Sequence, residues 1–493
     1  MKFLVLLAAA LVAVNAQGCD YCGPFNVTAD TLPSYVGPNP FPFLSSTGYV
    51  QVSSERSNFY WLVESQSDTP DEDPLVFWYQ GGPGCSGLAG LFTEHGPFRV
   101  DAQGNVELAQ FTWNTNANIV YLEQPTGVGF SFSPDHPSKY TSSDDQAAED
   151  NFNFIEGFLK ANPKFVGRKT WLAGESYGGV YIPTLTGQIL DNPNSNIYNQ
   201  LTGTMLGNPV MSCESLKEKD VLVHIFFWHQ LISYSSYQEW NNDGCPQTPQ
   251  SAHCSSLFIK IFREIGRVYQ EIGAFSFNGT QPSLDPDDLY QDFILGNGTL
   301  EWTLTLETND PDLDDLAITY LNRQDVQTAI HAQPPPAGEW EICTPGSTLQ
   351  YNISGESMIP FYQNLIATRP DVTILVYSGD IDIATVPAAQ TQLCLAELQG
   401  TPIQGKTWAP WYVNGATAGY VEYFEEYTYA TVKGAGHTVP TYQPLTAYNM
   451  FERFSQNQNL DGGEIYFPPA SSPKPRNKPL RQSDMLRKYN VGF

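Results

Sequence analysis

The chain predicts an α/β fold: a central, mostly parallel twisted sheet with helices on both faces and a helical cap inserted into it. Three observations lead there. Short apolar runs rich in β-branched and aromatic residues recur along the chain, as strands buried on both faces do. Stretches of helical periodicity stand between them, the alternation expected of βαβ units. From about residue 211 to 313 that rhythm lapses, and then it resumes.

The elements follow in order. GYVQVS (48–53) and NFYWLVES (58–65) flank a polar turn and predict a hairpin. LVFWYQ (75–80) and ANIVYLE (117–123) are continuously apolar, as strands of a parallel sheet are. SDDQAAEDNFNFIEGFLKA (143–161) predicts a helix: Ser143 and Gln146 have capping-box spacing, acids fill the first turn, and Pro163 lies beyond the end. TWLAG (170–174) is a strand, and YGGVYIPTLTGQIL (177–190) starts a helix directly after it. Between 211 and 313 two helices are expected, LKEKDVLVHIFFWHQLI and SSLFIKIFREIGRVY, among loops. VTILVYSGD (372–380) and YTYATVKGAGH (427–437) bring the sheet back. The expected division is thus a core of 17–210 and 314–460, a cap of 211–313, and a basic, Pro-rich and flexible tail of 461–493.

The first sixteen residues, MKFLVLLAAALVAVNA, read as a secretory leader cut after Ala16. No later run stays apolar for the roughly 18 residues a spanning helix needs, so no membrane anchor is expected. Eight cysteines in a secreted chain argue for disulfides, and sequons at Asn26, Asn278, Asn297 and Asn352 fit a glycosylating secretory route. With 52 acidic against 24 basic residues the net charge is -28, the wrong sign for phosphate, so nucleic acid is not expected as a partner. The same excess suits an acidic lumen, where partial protonation relieves self-repulsion.

LAGESYGG (172–179) holds a GxSxG pattern between a strand and a helix, the setting of a nucleophile elbow, with Ser176 as nucleophile. In that arrangement an acid and then a histidine follow in the chain. Of seven histidines only His437 lies in a loop directly after a β-like run, within KGAGHTVP. The loop after VTILVY offers two acids, Asp380 and Asp382, which spacing does not separate. WYQGGPGCSG places consecutive glycines after a strand, so backbone N–H groups of Gly82 and of Tyr177 can form an oxyanion hole. There is no HExxH and no His/Cys cluster, so no metal or other cofactor is called for. One neighbour is awkward: Glu175 precedes the serine, where an ionised carboxylate opposes the negative charge of the transition state.

Nine segments in order, GYVQV, FYWLVES, GGPGCSG, EHGPF, NIVYLEQPTGVGFSFS, GESYGG, YLNRQDVQTAIHA, VYSGDIDIATVP and GAGHTVPTYQP, resemble the serine carboxypeptidases of the α/β-hydrolase fold over about residues 30–455. The resemblance implies a lysosomal, vacuolar or secreted peptidase that removes C-terminal residues, with Asp382, the second aspartate of GDxD, as the triad acid. It also implies that Gln80, Gly81, Glu94 and Glu175 bind the substrate's free carboxylate, and that Cys85 bonds to Cys343. Cys213, Cys245 and Cys254 are expected to pair within the insertion, and Cys19, Cys22 and Cys394 are left unassigned.

Three carboxyls brought together cannot all be ionised, so the cluster should hold protons in acid and Glu175 should become a donor. One departure stands out. The family's usual asparagine before the two glycines is Gln80 here, a longer arm with the same amide. Rival readings are an acyltransferase of the same fold, which often has aspartate in place of Glu175, a non-catalytic stabilising protein, and a lipase or esterase. Peptide and protein C-termini are the expected partners, and monomer and homodimer both stay open.

Overall fold

A computed structural model describes residues 21–134, 140–213, 218–265, 287–289 and 313–461, together with the backbone of five short strands between 268 and 304. The expected leader, Asn278, Asn297, Cys19 and the tail lie outside the described residues, as does the side chain of Cys22.

Eleven strands form one sheet: β1 (Tyr21–Asn26), β2 (Ser45–Gln51), β3 (Ser57–Val63), β4 (Leu75–Tyr79), β5 (Asn118–Leu122), β6 (Thr170–Glu175), β7 (Leu201–Gly207), β8 (Thr373–Gly379), β9 (Ala409–Val413), β10 (Ala416–Tyr423) and β11 (Thr428–Val432). Their spatial order is β1-β2-β3-β5-β4-β6-β7-β8-β11-β10-β9. The six from β5 to β11 run parallel, and antiparallel strands flank them on both sides. The expected hairpin is β2–β3, with Gly48 opposite Tyr60.

Continuous apolar runs make sense here because each strand feeds two cores. In β4, Val76 and Trp78 face one side while Leu75, Phe77 and Tyr79 face the other, and all five are buried. On the second face pack α1 (Asp144–Ala161), through Phe154, Ile155 and Phe158, and α2 (Gly178–Asp191), through Val180, Ile182, Leu185 and Ile189. Ser143 caps α1 by accepting from the Gln146 N–H at 3.3 Å, and Asp144 and Asp145 face the positive helix end, as expected. Truncating a core ring such as Phe158 to alanine should cost about 3–5 kcal/mol.

Between β7 and β8, helices Glu218–Trp228, Tyr234–Asn242 and Ala252–Glu264 bury a small core of their own that reaches Ile383 and Ala384 beside the catalytic-side loops. The middle helix was not foreseen, because YSSYQEWNN is polar overall and buries only Ser236 and Trp240. An antiparallel strand pair, Gln291–Gly296 and Thr299–Leu304, also stands where loops were expected.

The cysteines correct one expectation. Cys245 and Cys254 do pair locally, but Cys213 bonds to Cys394, 181 residues away. Cys213 follows shortly after β7 and is buried in the main core, against the helix Ala388–Ala396 that carries Cys394, so it belongs to the sheet side rather than to the insertion. No helix among the described residues is long and apolar enough to cross a membrane.

Candidate active site

Strand register collects the expected residues at one edge. Tyr79 pairs with Gly174, Glu175 with Gly207, Gly207 with Tyr377, and Gly379 with Val432, so the C-terminal ends of β4, β6, β7, β8 and β11 are level. Ligand sites of open parallel sheets form there. The loops leaving those ends carry Gln80, Ser176, Asn208, Asp382 and His437.

Ser176 turns the chain sharply from β6 into α2, with φ of 55°, a left-handed value uncommon for a residue with a Cβ. Its N–H donates to Gly207 O at 2.9 Å, and its carbonyl accepts from Gly179 and Val210, both at 2.9 Å. The turn is therefore held from both sides while the serine stays partly exposed. Gly81 lies directly against it: a Cβ there would sit 2.6 Å from the Ser176 Cβ and 2.7 Å from the Tyr177 nitrogen. Gly82 has φ of 112°, reserved for glycine. Cys85 is bonded to Cys343, tying this loop to a segment 258 residues on.

Asp382 and His437 are buried and joined by a 2.7 Å contact between Oδ2 and Nδ1. Asp382 also accepts from Asn208 Nδ2 at 2.9 Å and from the Thr385 and Val386 N–H groups at 3.0 Å each. Burial alone would lower the His437 pKa, but the Asp382 charge and hydrogen bond outweigh it, with Asp287 and Glu94 adding, and push it up to about 9. Nδ1 is held by the carboxylate. Nε2 is buried with no hydrogen-bond partner among the described residues, and is the atom left to take a proton from a hydroxyl. Asp380, the other acid of the loop, is exposed and accepts from the Gly434 N–H at 2.7 Å, a turn-capping contact.

Behind the serine the two glutamates meet. Gln80 Nε2 donates to Glu94 Oε1 at 2.9 Å and to Glu175 Oε1 at 2.6 Å, and all three residues are buried. Both amide hydrogens thus hold the carboxyls. The longer arm of Gln80 is steadied by Trp78, whose indole N–H donates to Gln80 Oε1 at 2.8 Å and fixes which end of the amide faces the glutamates. The second oxygen of each glutamate has no donor among the described residues. Burial pushes Glu94 up, the Gln80 bond and the contact with Glu175 pull it partly back, and the result is about 7. Glu175 goes well above the usual range through burial, then the Glu94 charge and the hydrogen-bonding contact between the two carboxyls. The pair is built to hold a proton.

Glu94 ends a π-helical turn, Gly90–Glu94, and π turns concentrate at functional sites. Arg99 binds that turn together: its guanidinium donates to the carbonyls of Phe92 and Gly96, both at 3.1 Å, of Phe98 at 2.7 Å, and of Glu94. Next to it His95 stacks on Trp113 at 4.0 Å and meets Trp78 edge-on at 4.2 Å, centroid to centroid, and burial keeps it neutral. It belongs to the core.

Three contributors escaped the sequence reading. Trp78 was not singled out within its apolar strand, although it lies only two residues before Gln80, near the end of β4. Asn208 holds Asp382, and its signal was its place just past the end of β7. Asp287, from the segment before the strand pair, accepts the His437 N–H through its carbonyl at 3.0 Å and the Thr385 hydroxyl through its carboxylate.

Comparison with known proteins agrees with this layout. The serine carboxypeptidase family model matches residues 33–457. Serine carboxypeptidase-like 22 of Arabidopsis thaliana is 34% identical over 445 residues, covering 87% of this chain and 93% of the relative. The lysosomal protective protein of Mus musculus is 31% identical over 442 residues, covering 84% and 90%. The crystal structure of a prohormone-processing carboxypeptidase from Saccharomyces cerevisiae superposes with a TM-score of 0.68 at 20% identity, over 90% of this chain and 98% of that one, and shows the same α/β-hydrolase fold. With a family match over most of its length and a sheet edge arranged in this way, the chain belongs to the serine carboxypeptidase family.

Proposed function

We propose that the chain removes C-terminal amino acids from peptides and proteins by acyl transfer to water, and that it does so best in acid. The observation that carries this reading is the buried Glu94–Glu175 pair beside Ser176, held by one amide and, apart from each other, with no donor to its outer oxygens among the described residues. A serine hydrolase acting inside a chain has no use for such a pair. An exopeptidase does, because the substrate brings a carboxylate that needs donors.

In the proposed cycle Ser176 Oγ attacks the last peptide carbonyl while His437 Nε2 takes its proton, and Asp382 stabilises the imidazolium. The N–H groups of Gly82 and Tyr177 hold the oxyanion. His437 then gives its proton to the departing amino acid. Water, activated by the same imidazole, attacks the acyl-enzyme and releases the shortened peptide while Ser176 regains its proton. Glu175 and Glu94 share protons with the incoming carboxylate, and Gln80 and the Gly81 N–H complete its binding site.

Acid favours the carboxylate-binding half of the site. Below about pH 7 Glu94 keeps its proton, so the pair donates rather than repels. The imidazole pulls the other way, since Asp382 raises it to about 9 and protonation of Glu94 removes only a minor part of that hold, so the preference for acid rests on substrate binding. An acidic secretory compartment, a lysosome or vacuole, or an acidified exterior fits this chemistry and the expected leader. The direct test is release of amino acids from a peptide and from its amidated twin near pH 5, with Ser176→Ala as control. Release from the free acid alone supports the reading, and equal release from both defeats it.

A further inference from the structure

Among the described residues the sheet ends at β1, far from the site just described. Val63, at the end of β3, pairs with Ile119 near the start of β5, so the chain leaving β3 lies at the opposite end of the strands from Ser176. Beside β1 opens a cavity of about 350 Å³. Its lining includes Asn26 and Thr28, Phe41 and Leu44, and Glu64 with Lys164.

Two features of this cavity want explaining. Leu44 is 67% exposed on its rim, with Phe41 and Phe43 stacked behind at 5.4 Å. A 2.6 Å ion pair joins Lys164 Nζ to Glu64 Oε1 within the lining, the carboxylate nearly buried. The combination of an apolar wall and a charged hydrogen-bonding pair matches a pyranose, which has an apolar C–H face and a rim of hydroxyls. Asn26 and Thr28 are the first and third residues of the sequon Asn26-Val27-Thr28, which begins at the last residue of β1, and both are exposed while Val27 between them is buried.

We propose that the cavity seats the first N-acetylglucosamine of an N-linked glycan on Asn26, its apolar face and acetamide methyl against Leu44 and Phe41 and its polar rim toward Glu64 and Lys164. The linkage forms between Asn26 Nδ2 and C1 of the sugar. The sugar's bond to a lipid pyrophosphate donor breaks, the pyrophosphate leaves with the electron pair, and the amide loses a proton. Because Asn26 itself lines the cavity, the sugar needs no linker to reach its seat, and tethering raises its effective concentration to at least the millimolar range. The glycan also shields β1, an edge strand that would otherwise offer unpaired backbone groups to another chain.

The test uses the full chain secreted from a eukaryotic host that makes high-mannose glycans. Glycopeptide mass spectrometry should find Asn26 occupied. Trimming with an endoglycosidase that leaves one N-acetylglucosamine should keep the unfolding midpoint within about 1 °C, whereas Asn26→Gln or Thr28→Ala should lower it by about 2–3 °C. Leu44→Ser should lower the midpoint of the glycosylated chain but not further lower that of Asn26→Gln, while Asn352→Gln, at an exposed sequon away from the cavity, should leave it unchanged. An unmodified Asn26, an equal loss on trimming and on removal, or additive effects of Leu44→Ser and Asn26→Gln would overturn the proposal.

Discussion

Two buried carboxyl sites sit at the same end of the sheet and differ in how they are satisfied. Glu123, just past β5, is fully buried and pushed up to about 7 by burial, the same value as Glu94. Yet each of its oxygens has a donor. Ser86 Oγ at 2.6 Å and Trp340 Nε1 at 2.7 Å serve Oε1, and the Phe130 N–H at 2.6 Å serves Oε2. Glu123 thereby joins three segments, two of them next to the Cys85–Cys343 bond. The Glu94–Glu175 pair receives one amide between two carboxyls, and apart from the contact of the two carboxyls with each other its outer oxygens have no donor among the described residues. Burial and a raised pKa therefore do not distinguish structure from function here. Unfilled hydrogen-bonding capacity beside a nucleophile does.

That contrast can be broken in several ways. The largest effect belongs to neither carboxyl site: Ser176→Ala should lower kcat by about 10⁴–10⁶-fold with the unfolding midpoint unchanged, read from steady-state hydrolysis and thermal unfolding. Next, Glu175→Gln or Glu94→Gln should raise KM for peptides with a free C-terminus by about 10–100-fold and leave blocked esters unaffected. Glu123→Gln should do the reverse. Its amide sets a donor against either the Phe130 N–H or the Ser86 and Trp340 donors, costing about 1–3 kcal/mol of stability in denaturant unfolding, with catalytic constants unchanged. The smallest effect is Trp78→Phe, which frees the Gln80 amide to rotate and should raise peptide KM about fivefold, the worth of one hydrogen bond.

The pH dependence of stability separates the sites further. A carboxyl raised from 4.5 to about 7 binds more protons folded than unfolded between those values. Its contribution is complete below about 4.5 and is lost as pH rises through 7, by about 3 kcal/mol per group. His437, raised to about 9, likewise stabilises below 6.5 and stops doing so as pH passes 9. The wild type should therefore lose stability from pH 5 to 8. Glu123→Gln should flatten that decline, and its double variant with Glu94→Gln should flatten it further, the two effects adding because the groups share no hydrogen-bond partner.

Local grammar carried much of this molecule. The continuous apolar strands, the Ser143 cap and the strand-to-helix turn at Ser176 are each written within a few residues, and the sequence reading found them. The glutamates were legible through motif and chemistry: Glu175 was conspicuous because a charge beside a nucleophile is unfavourable. What escaped is tertiary. Trp78 looks like core because nothing in its neighbours says where its indole N–H points. Cys213 was assigned to the insertion because its partner is 181 residues away. Arg99, one cation among 24, becomes meaningful only when four carbonyls, two of a π turn and two just after it, converge on it. The helix Tyr234–Asn242 is short and polar overall, so it does not stand out from the loops around it.

The central claim is that the buried glutamate pair binds the substrate's carboxylate in its protonated form. The measurement that tests it most directly is KM from about pH 4 to 8 for a peptide with a free C-terminus and for the same sequence as a blocked ester. The account predicts a peptide KM that is level in acid and climbs above about pH 7, where Glu94 ionises, while the ester KM stays flat and the ester rate rises as His437 loses its proton. Parallel KM profiles for the two substrates would contradict it.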